Sequence, residues 1–255
     1  MGFVKSVAVA LAAALATPAW AVGGMADLTV FDRSEGRSLP VHWHEGRAWV
    51  VARPGNEYQV VLRNRRGEDL LAVMAVDGVN VVSGETANPQ QGGYMLAPWR
   101  GLEVKGWRKS LERTAAFYFT PLPDSYAART GRPDNVGVIG VALYQRKRVT
   151  PPVDIAPISQ SAPAAAERAD AGSAARAEAQ APAREAKLGT GHGRSEASPA
   201  RTVEFERATS APSETIAIYY DSYRNLVARG VIREPQPAPA LPQPFPGFVP
   251  DPPRG

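Results

Sequence analysis

The chain of 255 residues contains no cysteine, and this absence excludes several kinds of chemistry. Without a thiol there is no disulfide, no thiolate nucleophile and no cysteine-ligated zinc site. A lipoprotein anchor is not expected either, because that anchor is attached to a cysteine at the cleavage point. A domain without disulfides must be held together by buried apolar area, so the sequence predicts a sizeable core.

Catalytic groups are also scarce. The chain has three histidines and lacks a GxSxG nucleophile elbow, a P-loop, a GxGxxG motif and an HExxH motif. Glycoside hydrolysis needs two carboxylates at a suitable distance, and spacing alone pairs none of the candidates, which are Asp77, Glu85, Glu103, Asp124 and Asp134. We therefore expect no enzyme and no cofactor, with a metal-dependent or glycoside hydrolase as the third-ranked alternative.

Long apolar runs are missing, and the one apolar stretch of note lies near the first residue. Lys5 precedes an apolar segment over residues 7–16, which leads through Pro18 to the small residues Ala19 and Ala21. This order is typical of a secretory signal peptide over residues 1–21, cleaved between Ala21 and Val22. The sequence thus predicts a periplasmic or secreted protein whose mature chain has no transmembrane segment.

From residue 22 to about residue 150 the sequence consists of short β-branched or aromatic runs separated by turn residues. Residues 58–63 alternate in polarity, and residues 70–76 form a continuous apolar run suited to a strand buried on both faces. We predict that these two strands form a hairpin. Further strands are predicted at residues 79–82, 94–96, 102–105, 114–120 and 136–144. This pattern favours an all-β fold, an antiparallel β-sandwich of Ig-like or jelly-roll-like type.

The second half of the chain changes composition. Residues 151–201 lack Phe, Trp and Tyr up to residue 200 and are rich in Ala and Pro, which predicts a disordered linker. Residues 202–233 are expected to form two strands, near 203–205 and 216–220, and a short helix that is capped at Asp221-Ser222 and ends at Arg229-Gly230, packed on the sandwich. Residues 234–255 hold nine prolines and are predicted to be a disordered tail.

Several large aromatic residues lie in or beside predicted strands and are candidates for stacking on sugar rings. Tyr94, Trp99 and Trp107 are the residues to which we assign this role, so a carbohydrate-binding module is the alternative function. The competing interpretation is that aromatic residues in strands, such as Trp49, belong to the core.

His42 and His44 form the one local pair with metal-ligand chemistry. Side chains two residues apart on a strand point to the same face, so both imidazoles could offer nitrogen to zinc or copper. A third ligand would have to come from elsewhere. The competing interpretation is a surface pair that flanks a buried Trp43 on an edge strand near Pro40, and it leads us to expect no metal site.

The formal net charge of +4 is spread along the chain, which predicts no nucleic-acid partner and leaves an envelope protein or polysaccharide as the expected partner. Five segments, 76–84 (VDGVNVVSG), 92–98 (GGYMLAP), 104–108 (VKGWR), 126–131 (YAARTG) and 135–141 (NVGVIGV), resemble a group of uncharacterised exported β-sandwich-type proteins of Gram-negative bacteria. The resemblance spans residues 46–148, with an echo at 220–232. That group has no assigned activity, so the resemblance implies no site. The sequence as a whole predicts a non-catalytic binding or structural protein of the bacterial envelope.

Overall fold

Most of the strands have alternating apolar and polar residues. The computed structural model describes residues 21–148 and 186–233. In Ala26–Asp32 every second residue is fully buried, as expected for a strand that covers a core with one face. The strands are β1 (Ala26–Asp32), β2 (Arg37–Ser38), β3 (His42–His44), β4 (Arg47–Val51), β5 (Glu57–Asn64), β6 (Leu70–Val76), β7 (Val79–Asn80), β8 (Tyr94–Leu96), β9 (Gly101–Val104), β10 (Gly106–Arg108), β11 (Arg113–Pro121), β12 (Val138–Gln145), β13 (Leu188–Ala197) and β14 (Glu214–Asp221).

The strands form two sheets that pack face to face. The first sheet has the order β10-β11-β5-β1-β2, with β13 on β11 and β9 on β5, and the second has the order β3-β4-β14-β12-β6-β7, with β8 on β6. The predicted all-β sandwich is confirmed. The second sheet is mixed rather than purely antiparallel, because β14 pairs in parallel with β4.

The core between the sheets contains stacked aromatic rings. The Tyr58 ring lies 4.2 Å from that of Phe119 and 5.3 Å from that of Phe117, and the Phe119 ring lies 5.3 Å from that of Tyr220. These four rings are fully or almost fully buried. Because Tyr58, Phe117 and Phe119 belong to the first sheet and Tyr220 to the second, the cluster joins the two layers.

Burial of β6 on both faces is confirmed, but the predicted hairpin of β5 and β6 is wrong. The two strands lie in different sheets, so the turn that follows Asn64 connects the layers. The outer face of β6 is buried because Phe205 packs on a cluster of Leu71, Val73, Ala142 and Tyr144. The sequence next to β6 did not predict this contact, because Phe205 lies far from β6 along the chain.

The predicted disordered linker is wrong for its last part, where β13 pairs with β11 along its length. The prediction relied on the lack of large apolar side chains. In β13 the backbone itself packs closely, because Gly191 lies against the Tyr118 ring and Gly189 against Ser125 and Val136. Residues 151–185 of the predicted linker lie outside the described residues.

The segment after β13 differs in part from the prediction. No strand forms at residues 203–205, and only Arg207 makes a bridge, to Arg146. β14 lies between β4 and β12 in the second sheet. It is followed by helix α2 (Tyr223–Ala228), whose predicted Ser222 cap is confirmed, since Ser222 Oγ accepts the Asn225 amide at 3.2 Å.

Helix α1 (Tyr126–Arg129) begins at the Ser125 cap between β11 and β12. Short 3₁₀ turns at Leu122–Asp124 and Pro133–Asn135 flank it. No helix in the described ranges is long and apolar enough to cross a membrane. The predicted signal peptide, apart from Ala21, and the predicted proline-rich tail lie outside the described residues.

Candidate binding sites

The three residues predicted to stack on glycans do not share a surface. Trp107 is 3% exposed, its ring meets Phe117 edge to face at 5.1 Å, and its Nε1 donates to the Gly191 carbonyl at 3.1 Å. A ring with both faces in the core cannot stack on a ligand, so the assignment of Trp107 is wrong. Tyr94 and Trp99 line two separate depressions.

Tyr94 lines a groove with a volume of about 580 Å³. The groove lies between the β8 region and the extended residues 200–207, and Leu111 and Val203 in its wall are 54% and 40% exposed. We call it the Tyr94 groove. Its apolar lining residues are Leu71, Val82, Tyr94, Met95, Leu111, Val203 and Phe205. The volume falls within the range of small-molecule sites, about 300–1,000 Å³.

Three arginines line the Tyr94 groove, and none of them is paired with a carboxylate. Arg108 donates to the Tyr94 hydroxyl at 3.2 Å and to the Ser198 carbonyl at 2.5 Å. Arg207 donates to the Gln90 side-chain oxygen and lies 4.3 Å from the centre of the Tyr144 ring. Arg201 is exposed and has no partner among the described residues. Their partners are neutral, so the groove carries uncompensated positive charge.

The sequence predicted only one residue of this groove, Tyr94. The Val203 and Phe205 side of the groove was predicted to be a strand, because its polarity alternates. In the structure this segment has no strand partners and instead covers the outer face of the second sheet with Phe205. The charge pattern of the sequence gave no signal either, because Glu204 and Glu206 lie close to Arg201 along the chain but do not line the groove.

Trp99 lies at a different place, at the end of the sandwich where β5 leads into β6. It is 64% exposed, and it lines a depression of about 370 Å³ together with Arg65, Arg66, Gly67, Glu68 and Arg148. The backbone of Trp99 has φ +60°, in the left-handed region. For a residue with a Cβ this conformation costs roughly 1–2 kcal/mol.

The buried side chain of Asn64 fixes the Trp99 loop. Its Nδ2 donates to the carbonyls of Glu68, Leu96 and Ala97 at 2.8, 3.1 and 3.1 Å, and its Oδ1 accepts the Arg66 amide at 2.8 Å. The Trp99 amide donates to the Arg66 carbonyl at 3.2 Å. This network holds the strained backbone in place, which is the condition under which strain persists in a folded protein.

His42 and His44 lie on the edge strand β3 and are half-buried, and between them Trp43 is 56% exposed. The prediction that Trp43 is buried is therefore wrong, whereas the predicted edge position of this strand is found. Burial lowers the pKa of His42. Within residues 21–148 and 186–233 no group of three His, Cys, Asp or Glu side chains is placed to hold a metal ion.

A buried polar network that the sequence did not predict lies around Asp77. Asp77 Oδ1 accepts the Tyr220 hydroxyl at 2.5 Å and the Gly137 amide at 2.8 Å, and Oδ2 accepts the Thr190 amide at 2.6 Å. Thr190 Oγ1 lies 2.7 Å from the hydroxyls of both Tyr220 and Tyr58. The predicted turn at Asp77 and Gly78 is confirmed, with φ of +52° and +72°.

Burial raises the pKa of the Asp77 carboxyl above its ordinary value of 3.8, while the hydrogen bonds from Tyr220, Gly137 and Thr190 act in the opposite direction. Burial also raises the pKa of Tyr58 and Tyr220, as does the nearby Asp77 charge. Both phenols therefore keep their protons. Because Asp77, Tyr58 and Tyr220 are at most 1% exposed, this network joins the sheets and does not face solvent.

Comparison of the chain with protein-family models, with curated protein sequences and with solved structures gives no match.

Proposed function

We propose that this chain is a non-catalytic binding protein of the bacterial envelope, and that its Tyr94 groove receives an anionic amphiphile. Such a ligand has a carboxylate or phosphate group beside an alkyl portion. The observation that carries the proposal is the combination of an apolar groove with three arginines that have no acidic partner. The signal-type sequence at residues 1–21 supports the envelope as the place of action.

The charges of the groove support an anionic ligand. Arg108 and Arg207 bind neutral oxygens, and the exposed Arg201 is free to form a bidentate pair with a carboxylate or phosphate. None of the described residues that line the groove is acidic. A cationic ligand would therefore meet only repulsion there.

The walls of the groove support an alkyl portion. Leu111 and Val203 are exposed aliphatic residues on a protein surface, and an apolar patch that is rimmed by polar groups is typical of a ligand site. The described lining includes no carboxylate or imidazole that could serve as a general base, which favours binding over catalysis.

An acidic glycan is the second candidate ligand. Tyr94, the one predicted stacking residue in the groove, lies beside Arg108, and this pairing of a ring with a guanidinium also suits a uronic acid.

Calorimetric titration of the purified chain tests the proposal, with dodecanoate below its micelle-forming concentration, the uncharged dodecyl maltoside, and polygalacturonate. We expect saturable binding of dodecanoate only. The exposed positions of Arg201 and Val203 allow the double variant Arg201→Gln/Val203→Ser to fold, and it should bind dodecanoate at least about tenfold more weakly, because a hydrogen bond to a charged group contributes about 1.5–3 kcal/mol.

Trp43→Ala is the matched control, since Trp43 is an exposed apolar residue far along the second sheet from β8. It should bind dodecanoate as the unmodified chain does. Equal affinity for dodecyl maltoside, or full affinity in the double variant, contradicts the proposal. Saturable binding of polygalacturonate alone would show that the ligand of the groove is an acidic glycan.

A further inference from the structure

Trp99 and the basic residues around it form a second surface, separate from the Tyr94 groove. We define the Trp99 tip as Trp99 with Arg65, Arg66, Arg100 and Arg148. We propose that the Trp99 tip docks the protein on an anionic phospholipid surface, with the indole in the headgroup layer and the arginines on lipid phosphates. The inference does not depend on what the Tyr94 groove binds.

The indole is held in solvent by the fold. It is 64% exposed, and one side of the ring lies close to Gly67. A flexible loop would let so large an apolar side chain fold back onto the protein. Here Asn64 fixes both chain segments of the tip, and the backbone of Trp99 is kept in a conformation that favours glycine.

The charges of the tip complement a layer of phosphates. Arg65 is paired with Asp27 at 3.3 Å, and Arg148 with Glu68 at 3.3 Å. Arg66 and Arg100 are exposed and have no acidic partner in the described part of the chain. Guanidinium groups bind phosphate in a bidentate manner, and basic residues near an anionic membrane each strengthen binding about fivefold.

A lipid surface explains the tip better than a sugar does. A glycan site surrounds its stacking ring with amide and carboxylate groups that bind hydroxyls. The carboxylate beside Trp99, that of Glu68, is already bonded to Gln145 and Arg148, and the lining side chain without an acidic partner is Arg66. Tryptophan next to basic residues is a combination found at membrane interfaces. There the ring lies among the lipid headgroups and its N–H stays hydrated.

Vesicle binding of the full chain tests the proposal, with vesicles of phosphatidylcholine alone and with added phosphatidylglycerol. We expect co-sedimentation only with the anionic vesicles, weakened by salt, and a blue shift of the tryptophan emission. Trp99→Gly should lower the partition coefficient at least about tenfold, since burying an aromatic side chain contributes that much. Arg66→Gln/Arg100→Gln should lower it by at least about tenfold as well.

Trp43→Phe and Trp99→Phe form the matched pair, because Trp43 and Trp99 are the exposed tryptophans of the described chain. The blue shift should persist in Trp43→Phe and vanish in Trp99→Phe. Unchanged urea unfolding of Trp99→Gly, or unfolding at higher urea, shows that its loss of binding is not a loss of fold.

The Arg201→Gln/Val203→Ser variant should bind vesicles normally, so failure of the groove proposal is distinguishable from failure of this one. Equal binding to neutral vesicles, no binding to anionic vesicles, or full binding by Trp99→Gly overturns the inference. A Trp99-dependent shift on addition of polygalacturonate without any vesicle response overturns it in favour of a glycan.

Discussion

Asp77 is the residue at which side chains from distant parts of the chain meet. A carboxylate only accepts hydrogen bonds, so the direction of the network is fixed. The Tyr220 hydroxyl donates to Asp77, Thr190 donates to Tyr220, and Tyr58 donates to Thr190. Tyr58 precedes residues 149–185, whereas Thr190 and Tyr220 follow them. One carboxylate thus connects both parts of the chain.

Asp77→Asn should lower the free energy of unfolding by about 1–3 kcal/mol, because the new NH₂ group faces one of the donors that now bind the carboxylate. The effect should depend on pH. Since the folded pKa of Asp77 is raised, its stabilising contribution is complete below its ordinary value of 3.8 and is lost as the pH rises through the folded pKa. Urea unfolding across this pH range measures the difference between the two proteins.

The stability difference between the unmodified chain and Asp77→Asn should therefore shrink as the pH rises. Glu112→Gln, a change at an exposed residue, is the control and should leave the pH dependence unaltered. A difference that grows with pH would mean that the hydrogen bonds outweigh burial at Asp77.

At the scale of single residues, the sequence predicted local geometry and missed long-range roles. The turn at Asp77 and Gly78 follows from the preference of both residues for positive φ, and it was predicted. That the same carboxyl binds Thr190 and Tyr220 depends on contacts more than a hundred positions away. Trp99 and Trp107 look alike in sequence, but one is exposed and the other is buried.

Among the elements, β13 is a strand that its composition did not predict, because it contains glycines in place of large apolar side chains. A Cβ on Gly191 would lie 2.1 Å from the Tyr118 ring, so the ring occupies the place of a side chain. Covering of an edge-strand glycine by a cross-strand aromatic residue is known to stabilise sheets. The aromatic residue that buries β13 belongs to β11, which is why residues 188–197 appeared unable to fold.

Gly191→Ala should destabilise the protein by about 1–3 kcal/mol, because Tyr118 and the strand must move to admit the methyl group. Gly140→Ala is the matched control, since Gly140 is also a strand glycine and a Cβ there meets no atom within 4 Å. Its unfolding free energy should stay equal or rise, because alanine reduces the entropy of the unfolded chain. Chemical unfolding of both variants measures the contrast, and equal losses would contradict this packing.

Individual strands and caps were predicted well, and their partners were not. β6 and the Ser222 cap follow from local residue preferences and appear as expected. The hairpin of β5 and β6 was wrong because pairing depends on which sheet receives each strand. The cover of β6 by Phe205 is a contact across the whole second half of the chain.

At the scale of the molecule, residues 186–233 are structural parts of both sheets. β13 pairs with β11 in the first sheet, and β14 separates β4 from β12 in the second. Without β14 the second sheet would lose a central strand and expose Ile139 and Val141, which are buried in the core. The Tyr94 groove also needs this segment, since residues 200–207 form one of its walls.

A chain that ends at residue 148 should therefore fail to fold. We expect no cooperative urea transition and no near-ultraviolet circular dichroism, whereas the chain with residues 149–185 replaced by a flexible Gly/Ser linker of the same length should keep both. Cooperative unfolding of the shortened chain would show that residues 22–148 suffice for the sandwich.

The most direct test of the central claim is an NMR titration of the isotope-labelled chain with dodecanoate, because it reports where the ligand lies. We expect saturable shifts of amides around Tyr94, Leu111 and Val203, with no change around Trp43 at the opposite end of the second sheet. Shifts that are absent, or that are confined to other surfaces, would contradict the assignment of the Tyr94 groove to an anionic amphiphile.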